Sequence, residues 1–316
     1  FEYICNEHHG VTPDVITRGK TAGGPSSKLT VADTAWLWGA RLPGVSAERM
    51  RHLPDVTADA PASLAHAQPH HMADDATLTA NAPRINAPPR ERIVTERRGQ
   101  LTCTDLIGPF KPSKFTGNRY GAPFLDMHQG TSDVGFIPSK DKFPAALRSY
   151  IVRNQGNHGG DFAGGALYSD NEIVLNSAKV GLVLKDYDMY HTNSCEYEPW
   201  QNPTERHMRT LQEPMRVMHE RGGAGEEYWE YSMTQASLIS NVTHHRWGAA
   251  DDNKTPHERN TGRPPSVSHF RPMFCLAYAR RPDALQGRKL EPRADRCIHL
   301  GTSPNKPGCC ARMLLA

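Results

Sequence analysis

Hydrophobic and polar positions settle into regular rhythms only from about residue 99 onward. In QLTCTDLIG (100–108), Thr102, Thr104 and Leu106 alternate with Leu101, Cys103, Asp105 and Ile107, a period of two that predicts a strand containing Asp105. NRYGAPFLDM (118–127) and SDVGFIP (132–138) read as the next two strands. KDKFPAALRSYIV (140–152) has a helical pattern, with Pro144 near its first turn. ALYSDN (166–171) is a fourth strand with a polar tip, and NSAKVGLVLKDY (176–187) a second helix. A short strand at Met189–Thr192 precedes a helix opened by Asn202, and a further helix spans Glu226–Val242. Three strands, helix, strand, helix, strand and helices is the order of an α/β domain with a mixed central sheet.

Upstream the rhythm is weak. Residues 1–33 predict no element, and WLWGARLPGVSAERMRHL (36–53) predicts a short helix from Ser46. Residues 55–90 hold ten alanines and no aromatic residue, which predicts a linker or poorly packed segment.

The helix at NPTERHMRTL (202–211) raises the question of its glutamate. Asn202 as N-cap, Pro203 at the first helical position and Glu205 reaching back form an ordinary helix start. Met208, Leu211, Met215 and Met218 recur at spacings of three and four, and extending that stripe back three residues puts Glu205 on the inward face. Arg206, Arg209 and Arg216 flank it, and Pro214 predicts a kink or an end near Glu213. Asp105 in the first strand and Asp170 at the tip of the fourth converge if those strands are neighbours. Three inward carboxylates repel unless neutralised. Mg2+ or Mn2+ is the natural partner for such an all-oxygen set, as a pair of ions serving phosphoryl transfer. Singly, each residue has a plainer meaning: an edge aspartate, a Ser-Asp-Asn turn, a cap.

These stretches resemble the integrase of copia-type LTR retrotransposons, in the retroviral integrase and ribonuclease-H-like superfamily. The resemblance rests on TDLIGPF (104–110) with GNRYGAPFLD (117–126), SDN (169–171) and YEPWQN…ERHMRTL (197–211). It continues through YWEYSMTQASLISN (228–241), TPHERNTGRPPSVSHFRP (255–272), CLAY (275–278) and CIHLGTSPNKPG (297–308). It implies a ribonuclease-H-like core over 96–265, a degenerate pre-integrase region and linker over 1–95, and a small basic extension over 266–316. It also implies metal-dependent DNA cleavage and strand transfer, with Asp105, Asp170 and Glu205 as the catalytic metal ligands. Gln201, Asn202, Arg206 and Arg209 would contact DNA. The implied partners are element ends, target DNA and further copies of the chain, in the nucleus when the DNA is chromosomal.

The chain departs from that pattern at several positions. Gly39 and Gly44 of LWGARLPG (37–44) stand at two histidine positions, and Ala73 and Ala76 at two cysteine positions, of the family's zinc module. Zinc is therefore not expected, and His66, His70 and His71 read as loop histidines. Between Asp170 and Glu205 lie 205 − 170 − 1 = 34 residues, one short of the usual spacing. Val174 replaces a glutamate, and Met273-Phe274 replaces Phe-Gly before Cys275. A decayed or repurposed DNA-binding module is thus the alternative expectation.

Composition adds little. Lys and Arg exceed Asp and Glu by 37 − 34 = 3 across 316 residues, but 271–296 concentrates seven basic against three acidic residues, which suits phosphates. Seven scattered cysteines, no signal peptide and no long apolar run predict a reducing intracellular setting and no membrane span.

Overall fold

The computed structural model describes residues 29–68, 95–158, 161–170, 174–193, 203–244, 254–281, 292–303 and 311–315. Its centre is a five-stranded sheet of β1 (Leu101–Thr104), β2 (Tyr120–Asp126), β3 (Ser132–Ile137), β4 (Ala166–Ser169) and β5 (Tyr190–Asn193). They lie in the order β3-β2-β1-β4-β5. The first three pair antiparallel, and β4 and β5 join parallel to β1. This is the ribonuclease-H-like mixed sheet expected above.

One face carries α4 (Phe143–His158) and α5 (Ala178–Asp186), and buries Phe124, Leu147, Ile151, Leu167 and Leu184 in one cluster. Pro144 sits in the first turn of α4, where its missing N–H costs nothing. The other face carries α6 (Pro203–Gly222) and α7 (Trp229–Val242). From α7, Asn241 clasps β3: its side-chain amide accepts from the Ser132 N–H at 2.7 Å and donates to the Ser132 carbonyl at 2.8 Å.

The N-terminal expectation needs correcting. Residues 29–68 form α1 (Val31–Arg41), α2 (Ala47–Arg51), α3 (Leu53–Val56) and a 3-10 turn at Ala62–His66. Thr30 and Asp33 close a capping box on α1, and Ser46 caps α2 as predicted. Trp38, Leu42, Met50, Leu53 and Leu64 join Leu211, Met215, Trp229, Phe270 and Leu300 in a single buried cluster. Each such side chain contributes about 1.5–3 kcal/mol on burial. The linker composition of 55–90 hid Leu64 and Ala67, both fully buried. His66 is exposed at the end of the turn, while His70, His71, Ala73 and Ala76 lie outside the described residues.

The C-terminal region supplies α8 (Pro256–Thr261) and an antiparallel sheet of β6 (Leu276–Arg280), β7 (Ala294–Thr302) and β8 (Ala311–Leu315). Its Thr302 N–H donates to Gln235 Oε1 of α7 at 3.0 Å. Cys103 and Cys297 are buried free thiols and Cys275 is disulfide-bonded, a pairing that scattered cysteines in a reducing setting did not predict. Among the described residues no helix is long and apolar enough to cross a membrane.

A second correction concerns Pro214. It neither ends nor divides α6, which continues to Gly222. The buried proline ring lies against Gly44, in the link between α1 and α2, where a Cβ would stand 2.8 Å from Pro214 Cγ. Gly44 also has φ +78°, a conformation that side chains disfavour. Contact across the interface offsets the ladder bond the helix loses. Phe274 adopts a left-handed backbone, at φ +62°. Its N–H donates to the His299 carbonyl at 2.8 Å.

Two outcomes follow from this packing. Gly44→Ala should lower stability by about 1–3 kcal/mol in urea denaturation, through strain and overpacking together. The second concerns Asp59, which accepts from Ser266 Oγ at 2.6 Å, Val267 N at 2.8 Å and Ser268 N at 3.2 Å, tying the N-terminal helices to the C-terminal region. Partial burial works to raise its carboxyl, but the hydrogen bonds from Ser266, Ser268 and Val267 outweigh it and hold the group at about 2. A depressed carboxylate stabilises above its unfolded value near 4 and loses that contribution as pH falls towards 2. Thermal melts of wild type and Asp59→Asn should therefore differ at pH 6 and converge by about pH 2.

Candidate functional site

Asp105 lies one residue beyond β1 rather than within it, a small correction to the predicted strand. The antiparallel register with β2 nevertheless runs on unbroken from Thr104↔Phe124 to the bridge Ile107↔Gly121. Alternation therefore persists, and Asp105 shares the α6–α7 face with Cys103 and Ile107. Asp170 likewise follows directly after β4.

The parallel pairs Leu101↔Ala166, Thr102↔Leu167 and Cys103↔Tyr168, continued by two residues, bring Asp105 level with Asp170. Adjacent strands are about 4.8 Å apart. The two aspartates thus leave neighbouring strands at the same height, on the same face, at their carboxyl ends. Both are partly buried, and Asp105 Oδ1 accepts from the Leu106 N–H at 2.7 Å, which orients the carboxylate.

Helix α6 crosses that face along a row of paired residues. Ser132 pairs with Leu125, Leu125 with Cys103, and Cys103 with Tyr168. Thr204 is fully buried beside the thiol of Cys103, and His207 Nε2 lies 3.0 Å from Ser132 Oγ. Ser132 is held in turn by Ser237 Oγ–H, 2.9 Å from its hydroxyl. Burial lowers the His207 imidazole to about 4, so it stands neutral at physiological pH.

This crossing corrects the position of Glu205. Leu211, Met215 and Met218 are buried as the predicted stripe has them, but towards the start of α6 the buried face continues through His207 and Thr204, one residue before Met208 and Glu205. Glu205 lies on the outer side with its side chain 57% exposed, 3.7 Å from Arg209 Nη2. A carboxylate keeps its hydration there, while the small Thr204 and flat His207 fill the interface. Arg206 and Arg209 are exposed. Gln201 and Asn202, with the cap assigned to Asn202, lie outside the described residues, as do Asn171 and Glu172.

The donor chemistry is a partial fit to a divalent cation. Asp105 and Asp170 offer hard oxygen ligands at one height, suited to Mg2+ or Mn2+. Among the described residues, however, no three His, Cys, Asp or Glu side chains are gathered as a ready ligand group. Glu205 joins the aspartates only by leaving Arg209, an exposed pair worth at most about 1 kcal/mol.

Sequence reasoning passed over two residues that build this site, Thr204 and His207, because both are polar and fell outside a stripe counted on apolar residues. It also passed over Asp126, which is 1% exposed at the opposite end of the sheet. Burial raises its carboxyl, opposed by N–H donation from Gly99 and Gln129. Gly99 N lies 2.7 Å from Oδ2 and Gln129 N 2.9 Å from Oδ1, so Asp126 closes turns and takes no part in the site.

No family model matches the sequence, and no curated protein matches it. Among solved structures, the chain is similar to one in the simian T-cell lymphotropic virus intasome in complex with the PP2A regulatory subunit B56 gamma. That match has 14% identity and TM-score 0.42, covering 75% of this chain and 83% of the other. It is also similar to the catalytic core domain of BIV integrase, at 16% identity and TM-score 0.36, covering 52% of this chain and 95% of that one.

Ser132→Ala should destabilise the chain by about 1–3 kcal/mol, since His207 loses its buried partner. Chemical denaturation measures the loss, and a change under 0.5 kcal/mol would contradict the assigned role of that contact.

Proposed function

We propose that this chain is a copia-type integrase, a metal-dependent polynucleotidyl transferase that cuts DNA and joins its ends to a target. One observation carries the reading: Asp105 and Asp170 emerge level from adjacent parallel strands beneath the helix that bears Glu205. Bound Mg2+ or Mn2+ ions would supply the positive charge that favours attack of a water or 3′-hydroxyl on phosphorus. Asp105 and Asp170 would hold them, and Glu205 would complete the set on turning from Arg209. Released from that pair, Arg209 would meet a phosphate together with Arg206. Gln201 and Asn202 would meet the DNA end, and further copies of the chain would assemble on it in the nucleus.

A second reading is favoured by the outward Glu205 and its contact with Arg209. It is an integrase-derived module that binds DNA and does not cut it. Purified chain incubated with Mn2+ and a labelled duplex separates the two. The integrase reading expects nicking and strand transfer, reduced at least a hundredfold in Asp105→Asn and Glu205→Gln, with DNA binding kept. The second expects binding that weakens steeply with salt, and no cleavage at any Mn2+ concentration. Activity that survives Asp105→Asn removes the assigned site.

A further inference from the structure

Each aspartate of the site follows a hydroxyl residue that is fully buried: Thr104 precedes Asp105 and Ser169 precedes Asp170. By alternation these hydroxyls face α4 and α5, on the side of the sheet away from the carboxylates. Thr104 Oγ1 donates to the Pro123 carbonyl of β2 at 2.9 Å, a bond within the β1–β2 pair. Ser169 has a different partner. Its Oγ lies 2.8 Å from Nε2 of His191 on β5, and 3.0 Å from the Asp170 carbonyl oxygen.

His191 pairs with Leu167 in the β4–β5 ladder, two residues before Ser169, so its ring reaches diagonally along the sheet to the strand end. Two pairs further on, Ser169↔Asn193 is the last in the ladder, and Asn193 Nδ2 donates to Asn176 Oδ1 at 2.9 Å. Among the described residues β5 is the edge strand of this sheet. His191 is half-buried. A histidine placed only to fill space has no need of a hydroxyl beside the last strand residue. This one ties that residue to its neighbour where the chain delivers Asp170.

We infer that His191 is a positioning residue for the metal site: through Ser169 it fixes the backbone at Asp170, so that Asp170 stays level with Asp105. The inference rests on the metal-site reading above. It assigns β5 a part in ligand geometry that the carboxylate pattern does not reveal.

The test uses the full chain and Mn2+ as the probe. Mn2+ uptake is read by electron paramagnetic resonance without DNA, and half-saturating Mn2+ for nicking is read separately. His191→Ala should weaken uptake roughly tenfold, the scale for groups that orient metal ligands. Ser169→Ala removes the bond to His191 and the one to the Asp170 carbonyl, so it should weaken uptake at least as much, and the double variant should be no worse than Ser169→Ala alone. His191→Gln keeps an amide donor and should recover uptake to within about threefold of wild type. Uptake unchanged in His191→Ala overturns the inference and leaves the metal-site reading standing. A loss that follows melting temperature and is not rescued by Gln also overturns it, leaving His191 a packing residue. Wild-type chain that takes up no Mn2+ overturns the metal-site reading and this inference with it.

Discussion

The seat of α6 on the sheet decides what the rest of the molecule can do. Fully buried Thr204 beside Cys103 and the hydrogen bond of His207 to Ser132 fix where the helix crosses and how it is rotated. They lie on one row of cross-strand partners, so the helix runs across β1, β2 and β3 rather than along them. Buried polar contacts of this kind resist sliding more than apolar ones, because a shift of one residue leaves donors and acceptors unpaired. Glu205 is therefore fixed in azimuth by its neighbours, on the outer side of the helix beside Arg209.

That seat also organises the flanking regions. The far half of α6 packs its Leu211, Met215 and Met218 into the cluster shared by Trp38 from the N-terminal helices and Phe270 and Leu300 from the C-terminal region. Three stretches with different compositions thus depend on one helix pair, α6 and α7, for their burial. No zinc ligand set is needed to account for the burial of residues 29–68. Fully buried Leu42, Met50, Leu53 and Leu64 supply apolar area that a small metal-held module usually lacks.

Much of this was legible in the chain. The five strands and the core helices, in their sequence along the chain, followed from periods of two and near four; Asp170 was placed at a strand end and Asp105 one residue too far inside its strand. The errors share a cause: burial was inferred from residue class alone. A stripe counted on methionines put Glu205 inside and left Thr204 and His207 outside, because a hydroxyl and an imidazole count as polar until their partners are known. Cys103 and Ser132 sit far from α6 in sequence, and nothing local announces them. The alanine-rich stretch misled in the same way, since isolated Leu64 and Ala67 find their neighbours only in the folded chain. His191 carried no signal at all, its meaning depending on a diagonal contact between two parallel strands.

The departures from the family pattern bear on decay differently once they are placed in space. A proline within α6 and Gly44, at a position where the resemblance expects histidine, each read as damage along the sequence. In the structure they are each other's neighbours, the Pro214 ring occupying the volume that any side chain at Gly44 would claim. Phe274 has a left-handed backbone, with its N–H bonded to the His299 carbonyl. A chain drifting without constraint gathers misfits independently, and they have no reason to fit one another. Here the substitutions at Gly44 and Pro214 are complementary in shape and lie on opposite sides of one interface. Their fit preserves the helix packing that lies over Asp105 and Asp170.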